Sequence, residues 1–202
     1  MSNMTREHIL LGGFENPVDD TQETFRVLLN AVAAPGTVVP IAGPGEYPEG
    51  VSAAATAVLL SLVDFSTPLW IDPCLAHTGI QGHIGFHAGA PMARHSENCL
   101  FALIARNVDE IKLSRFMPGT PEYPDRSTTV IIEVDGFDVP PAVRLTGPGI
   151  ETSTMFGAGP LPKDFWAELV SNAAMFPLGI DVILTAPDAI VAIPRSTQIE
   201  VL

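Results

Sequence analysis

Ile180-Asp181-Val182-Ile183-Leu184-Thr185, then Ala186-Pro187-Asp188, then Ala189-Ile190-Val191-Ala192-Ile193 is the stretch on which the fold turns. Two apolar, β-branched runs flank a three-residue turn whose Pro and Asp favour chain reversal, so the segment predicts an antiparallel hairpin. Just upstream, Pro162 opens a helix in which Phe165, Trp166, Leu169, Val170 and Ala173 recur helically. Further back, Leu100–Ala105 and Thr128–Val134 are apolar runs of buried-strand length, and Ala142–Thr146 and Thr67–Ile71 are shorter strands. Asn107 is placed to cap a short helix, with Asp109 and Glu110 at its start and Lys112 and Arg115 near its end.

Ser52 caps an Ala-rich helix running to Val63, apolar almost all round and therefore expected between layers. Before it, Gly36–Ile41 reads as a strand. The first helix is expected from an Asp20 cap to Pro35-Gly36, its inward face formed by Phe25, Leu28, Leu29, Val32 and Ala33. Helices interleaved with strands and closed by a hairpin predict an α/β layered domain with a mixed β-sheet. At 202 residues, with no internal repeat and no charge run longer than Asp19-Asp20, a single domain over residues 1–202 is expected.

The chain holds 10 Lys+Arg against 23 Asp+Glu, for a formal charge of −13. Nucleic acid and anionic membranes are poor partners for such a surface, because both are bound through basic neutralisation of phosphates. Charged residues make up only 16% and apolar residues 47%, which implies that another subunit covers part of the surface. No apolar stretch approaches the ~18 residues that span a bilayer. The N-terminal Met1-Ser2-Asn3-Met4-Thr5-Arg6-Glu7 lacks a signal-peptide core, and Cys74 and Cys99 do not make a disulfide framework. A cytoplasmic protein is expected.

Lysine is the scarce residue: Lys112 and Lys163 stand against eight Arg. Neither follows Gly or precedes Ser or Thr, so there is no P-loop, and both read as solvated surface rather than as a Schiff-base nucleophile. Gly147-Pro148-Gly149-Ile150 lacks a third Gly for a dinucleotide loop and reads as a tight turn. No Gly-x-Ser-x-Gly elbow occurs. Cys74, His77, His83, His87, His95 and Cys99 share one segment, and His83 and His87 are spaced to face one way on a helix. The intervening Ile84-Gly85-Phe86 disfavours a helix, so no metal site is expected: the Cys read as small buried hydrophobes and the His as satisfied core or interface groups. His87 is the candidate pH-sensitive group.

Six blocks in order carry a resemblance. They are Phe25-Arg26 through Leu29-Asn30-Ala31 to Pro35-Gly36; Ala55–Leu62 with Asp64, Thr67-Pro68 and Trp70; and Phe86-His87 with Gly89-Ala90-Pro91. Arg144-Leu145-Thr146-Gly147-Pro148-Gly149-Ile150, Phe176-Pro177-Leu178-Gly179-Ile180-Asp181 to Leu184-Thr185, and Ile193-Pro194-Arg195-Ser196-Thr197 to Glu200-Val201 complete them. Together they resemble the PhnH family. The resemblance implies a subunit of the bacterial carbon-phosphorus lyase system, working in a core complex with PhnG, PhnI and PhnJ. That system couples a phosphonate to the ribose of ATP, displaces adenine and leaves alpha-D-ribose 1-phosphonate 5-triphosphate. It also implies a homodimer with a fold similar to the large domain of pyridoxal-phosphate-dependent transferases, without the cofactor, and it lends no established catalytic residue.

The candidate ligand-binding residues are Arg26, His87, Arg144 and Arg195, since Arg presents the fork that anions prefer. Phe176 and Pro177 are candidate partner contacts. Two alternatives stay open: a cofactor-free scaffold or dimerisation subunit that never touches substrate, and a free-standing binding protein of the pyridoxal-phosphate fold.

Overall fold

The computed structural model describes residues 11–202; the N-terminal heptapeptide read above lies outside them. Helix α1 (Pro17–Ala33) and a two-residue strand β1 (Val39–Pro40) lead to α2 (Ala53–Leu62), β2 (Leu69–Ile71) and α3 (Ile80–His87). Strands β3 (Phe101–Ile104), β4 (Thr129–Glu133), β5 (Val143–Thr146) and β6 (Thr154–Phe156) follow. Helix α4 (Phe165–Ala173), the hairpin β7 (Asp181–Thr185) and β8 (Ala189–Ile193), and β9 (Gln198–Val201) end the chain. The expected mixed α/β class is borne out.

Six strands form one sheet in the order β1-β8-β7-β4-β3-β2. From β7 to β2 the pairing is parallel, and β8 closes it antiparallel with Val182 opposite Ile193 and Thr185 opposite Ile190. The strands are apolar on both faces because both faces are covered. Along β4, Val130 and Ile132 point into one core while Ile131 points into the other. Ile131 joins Leu103, Ile183 and Ala192 under the helices α1, α2 and α3. Val130 and Ile132 join Val182, Leu184, Phe165 and Leu169 under α4 and a second sheet, ordered β6-β5-β9. Among the described residues no helix is long and apolar enough to cross a membrane.

Ser52 caps α2 as expected, its Oγ accepting from Ala55 N at 3.0 Å, and the helix is buried from Ala54 to Leu59. Other expectations are corrected. Helix α1 starts at Pro17, with Asp20 one turn inside accepting from Asn16 N at 3.0 Å. Its inward face is Thr24, Leu28 and Ala31, so of the five residues expected only Leu28 is buried. Small Thr24 and Ala31 let the helix lie close over α2 and β8, which turns Phe25, Leu29 and Val32 outward, 45%, 52% and 46% exposed.

The Asn107 helix does not form. Asn107 is left-handed at φ 60°, and Ile111 and Leu113 alternate inward as extended chain, leaving only a 3-10 turn at Leu113–Arg115. A carboxylate of α4, Glu168, accepts from Leu113 N at 3.1 Å and outcompetes the local helix. The Gly36–Ile41 strand shrinks to Val39–Pro40. The segment expected to be non-helical around His83 is helical, because Ile80 and Ile84, one turn apart, are both fully buried and outweigh Gly82 and Gly85. Cys99 is buried as expected, whereas Cys74 is exposed.

Candidate functional site

In sheets of this kind ligands meet the carboxyl ends of the parallel strands. Here those ends deliver Asp72 after β2, Arg106 after β3, and Glu133 and Asp135 at and after β4. Glu133 is buried, and both its oxygens are used. Oε1 accepts from Ser52 N at 2.7 Å, and Oε2 accepts from Arg106 Nη2 at 2.6 Å. Arg106 also lies 3.6 Å from Asp135. The N-terminus of α2 points into this edge, and three of its backbone donors are already occupied. Ser52 N binds Glu133, Ala54 N binds Pro187 O and Ala55 N binds Ser52 Oγ. A helix N-terminus that could have held a phosphate is instead locked to the sheet. Sequence reasoning did not single out Arg106 or Glu133. The available signal was a carboxylate ending a buried β-branched run, which requires a partner.

Beside that edge lies a cleft of about 480 Å³, lined by residues 107–112 beyond β3 and residues 160–165 ahead of α4. It collects both lysines of the chain. Lys112 Nζ lies 3.4 Å from Glu168 and 3.4 Å from Glu110. The Glu168 hydrogen bond, followed by the Glu110 charge, raises its pKa and holds the ammonium form. Schiff-base chemistry needs the opposite, a depressed amine pKa. Asp109, Glu110 and Asp164 share the lining with Lys112 and Lys163, so the cleft has no cationic excess for a multiply charged anion.

The four candidate ligand residues do not converge. Arg26 sits on exposed α1 and His87 ends α3, both on the helical side of the large sheet. Arg144 lies on β5 on the opposite side, its Nη1 donating to Glu200 Oε2 at 2.8 Å across the strand pair. Arg195 follows β8, and its guanidinium is committed to the chain itself. Nε and Nη2 donate to the Asp181 carboxylate, and Nη1 donates to Pro124 O. Among the described residues no ion pair involves Arg26. Phe176 is 58% exposed beyond the end of α4, joined to Pro177 by a cis peptide.

Residues 12–200 match the model of the bacterial phosphonate metabolism protein family, PhnH. The chain belongs to the PhnH family. The match takes in every element from α1 to β8 and nearly all of β9, and the resemblance drawn from the six sequence blocks is borne out. The chain is 34% identical over 195 residues to the alpha-D-ribose 1-methylphosphonate 5-triphosphate synthase subunit PhnH of Rhizobium meliloti (strain 1021), covering 96% of this chain and 98% of that protein. It is 31% identical over 184 residues to a putative C-P lyase subunit protein, HtxG, of Stutzerimonas stutzeri, covering 88% of this chain and 85% of that one. Membership of the PhnH family covers the Arg106–Glu133 edge and the lysine cleft alike.

Proposed function

We propose that this chain is a non-autonomous subunit of a carbon-phosphorus lyase assembly, contributing to the formation of alpha-D-ribose 1-phosphonate 5-triphosphate from ATP and a phosphonate. The observation that carries this is the near end-to-end similarity to a protein named as subunit PhnH of alpha-D-ribose 1-methylphosphonate 5-triphosphate synthase. The chemistry of the chain agrees with dependence on partners. A charge of −13 repels a triphosphate, Ser52 N, Ala54 N and Ala55 N at the carboxyl edge are internally occupied, and the candidate Arg residues are dispersed. PhnG-, PhnI- and PhnJ-type subunits are the partners, and Arg26, which has no ion pair among the described residues, is the cation offered to an anion shared with them, Arg144 being held by Glu200 on the other side of the sheet. Phe176 and Pro177 form a contact with one of these subunits. The chain works in the cytoplasm, as one PhnH-like domain, and needs no cofactor of its own.

The homodimer is seated on α1. Val18, Phe25, Leu29 and Val32 form an exposed apolar stripe beside a groove of about 260 Å³ that also takes in Leu62, Phe101 and Val182. Val18 and Val32 are equidistant in sequence from Phe25, so a two-fold antiparallel copy sets Val18 against Val32 and Phe25 against itself. Sedimentation of Phe25→Asp checks this: a monomer is expected, and an unchanged dimer removes the placement.

The functional reading is tested by co-expressing the chain with the other subunits and measuring adenine release from ATP on adding methylphosphonate. Activity is expected only with all subunits present. Turnover by this chain alone overturns the subunit reading.

A further inference from the structure

We propose that His83 and His87 form a two-histidine binding site for a borderline divalent metal ion of the zinc class. Helix α3 sets the two side chains one turn apart on one face, with ring centroids 4.6 Å apart. That spacing lets two imidazoles share one ion. His83 is 6% exposed, and its Nε2 is buried with no hydrogen-bond partner. Buried polar atoms are nearly always satisfied, so an orphaned imidazole nitrogen calls for a ligand.

His87 supplies the complement. Its Nε2 lies 2.9 Å from the Leu11 carbonyl oxygen. A carbonyl only accepts, so Nε2 carries the hydrogen and Nδ1 of the neutral ring keeps its lone pair. Metal-bound histidines are oriented in this way, with the other ring N–H given to a backbone carbonyl. Gly13 packs against the His87 ring, where an added Cβ would come within 2.9 Å of Nδ1 and 3.1 Å of Cε1, so glycine lets the ring keep this position. Glu46 Oε2 accepts from Gly12 N at 2.7 Å and fixes the segment that carries these contacts. Among the described residues no cluster of three or more His, Cys, Asp or Glu gathers, so the remaining coordination positions fall to water. Imidazole ligands suit Zn²⁺, Ni²⁺ and Cu²⁺ over Mg²⁺ or Ca²⁺.

The test is calorimetric titration of the untagged full chain with Zn²⁺, alongside heteronuclear NMR of the imidazole nitrogens. One equivalent is expected to bind, with shifts confined to His83 and His87. His87→Gln, at an exposed position, is expected to abolish binding without unfolding the chain. Gly13→Ala, which displaces the Leu11 carbonyl from His87, is expected to weaken binding about 10- to 100-fold, and Mg²⁺ to give no heat. No binding at millimolar Zn²⁺ overturns the proposal, as does binding that survives His87→Gln or is lost only in His8→Gln.

Discussion

Glu133 and His83 are both polar side chains buried in an apolar molecule, one at the carboxyl edge of β4 and the other on α3. Glu133 has every partner it needs, one from the sheet's own continuation and one from the N-terminus of α2. His83 has a nitrogen with none. The first group acts as a rivet between layers; the second is an unmet demand. A buried charge in place of a ligand site and a buried ring awaiting one are told apart by whether the hydrogen-bond count closes.

Glu133→Ala is the strongest way to break this contrast. It leaves the buried Ser52 N–H unpaired and takes from Arg106 the nearer of its two carboxylates, and a loss of about 2–4 kcal/mol in denaturant unfolding is expected. A loss below about 1 kcal/mol would mean that water replaces the carboxylate and that the network is not a rivet. Asn172→Ala probes a second satisfied group, since Asn172 both donates to Ile180 O and accepts from Ile180 N. Removing it leaves two buried backbone groups unpaired, and about 1–3 kcal/mol is expected to be lost.

His83→Leu should behave in the opposite sense. Replacing an unsatisfied ring by an apolar side chain is expected to change stability at pH 7 by less than about 1 kcal/mol. Because the folded pKa of His83 lies below the unfolded value of about 6.5, the unfolded chain takes up this proton first as the pH falls. This contribution is therefore full above about pH 6.5, declines as the pH drops through that value, and levels off once the folded ring is protonated. Unfolding curves of the parent and His83→Leu across this window should converge at high pH and separate in acid, the parent falling faster. The smallest effect on the isolated chain is expected from Phe176→Ala, within about 0.5 kcal/mol because the ring is exposed. Co-purification with the other subunits should fall sharply in that variant; unchanged co-purification would remove Phe176 from the interface.

The hairpin at residues 181–193 was legible because its signal is local: two β-branched runs and a Pro-Asp turn. The same holds for α2, where Ser52 and an unbroken Ala-Val-Leu run leave no alternative. The second sheet was only partly legible. Strand β5 pairs with β6 and with β9, whose Glu200 lies opposite Arg144 from far along the chain, and Gln198–Val201 alternates polar and apolar over only four residues, too short a run to say which strand it joins. Arg195 looked like an anion ligand because a guanidinium carries no mark of its partner; only the return of β8 beside β7 brings Asp181 to it. The apolar arc of α1 includes Phe25 and Leu29, and such an arc does not say which part of it meets the sheet.

By itself the sequence determined the α/β layering, the buried central strands, the absence of a P-loop and of a ready Schiff-base lysine, and the family. These follow from periodicity, composition and residue identity within short windows. Tertiary structure decided the helicity of α3, the rotation of α1, the extended course of residues 107–112 and the pairing of Glu133 with Arg106 and Ser52. Each depends on burial or a hydrogen bond between residues distant in the chain, with a free energy that exceeds the local preferences of Gly, Asn and charged side chains.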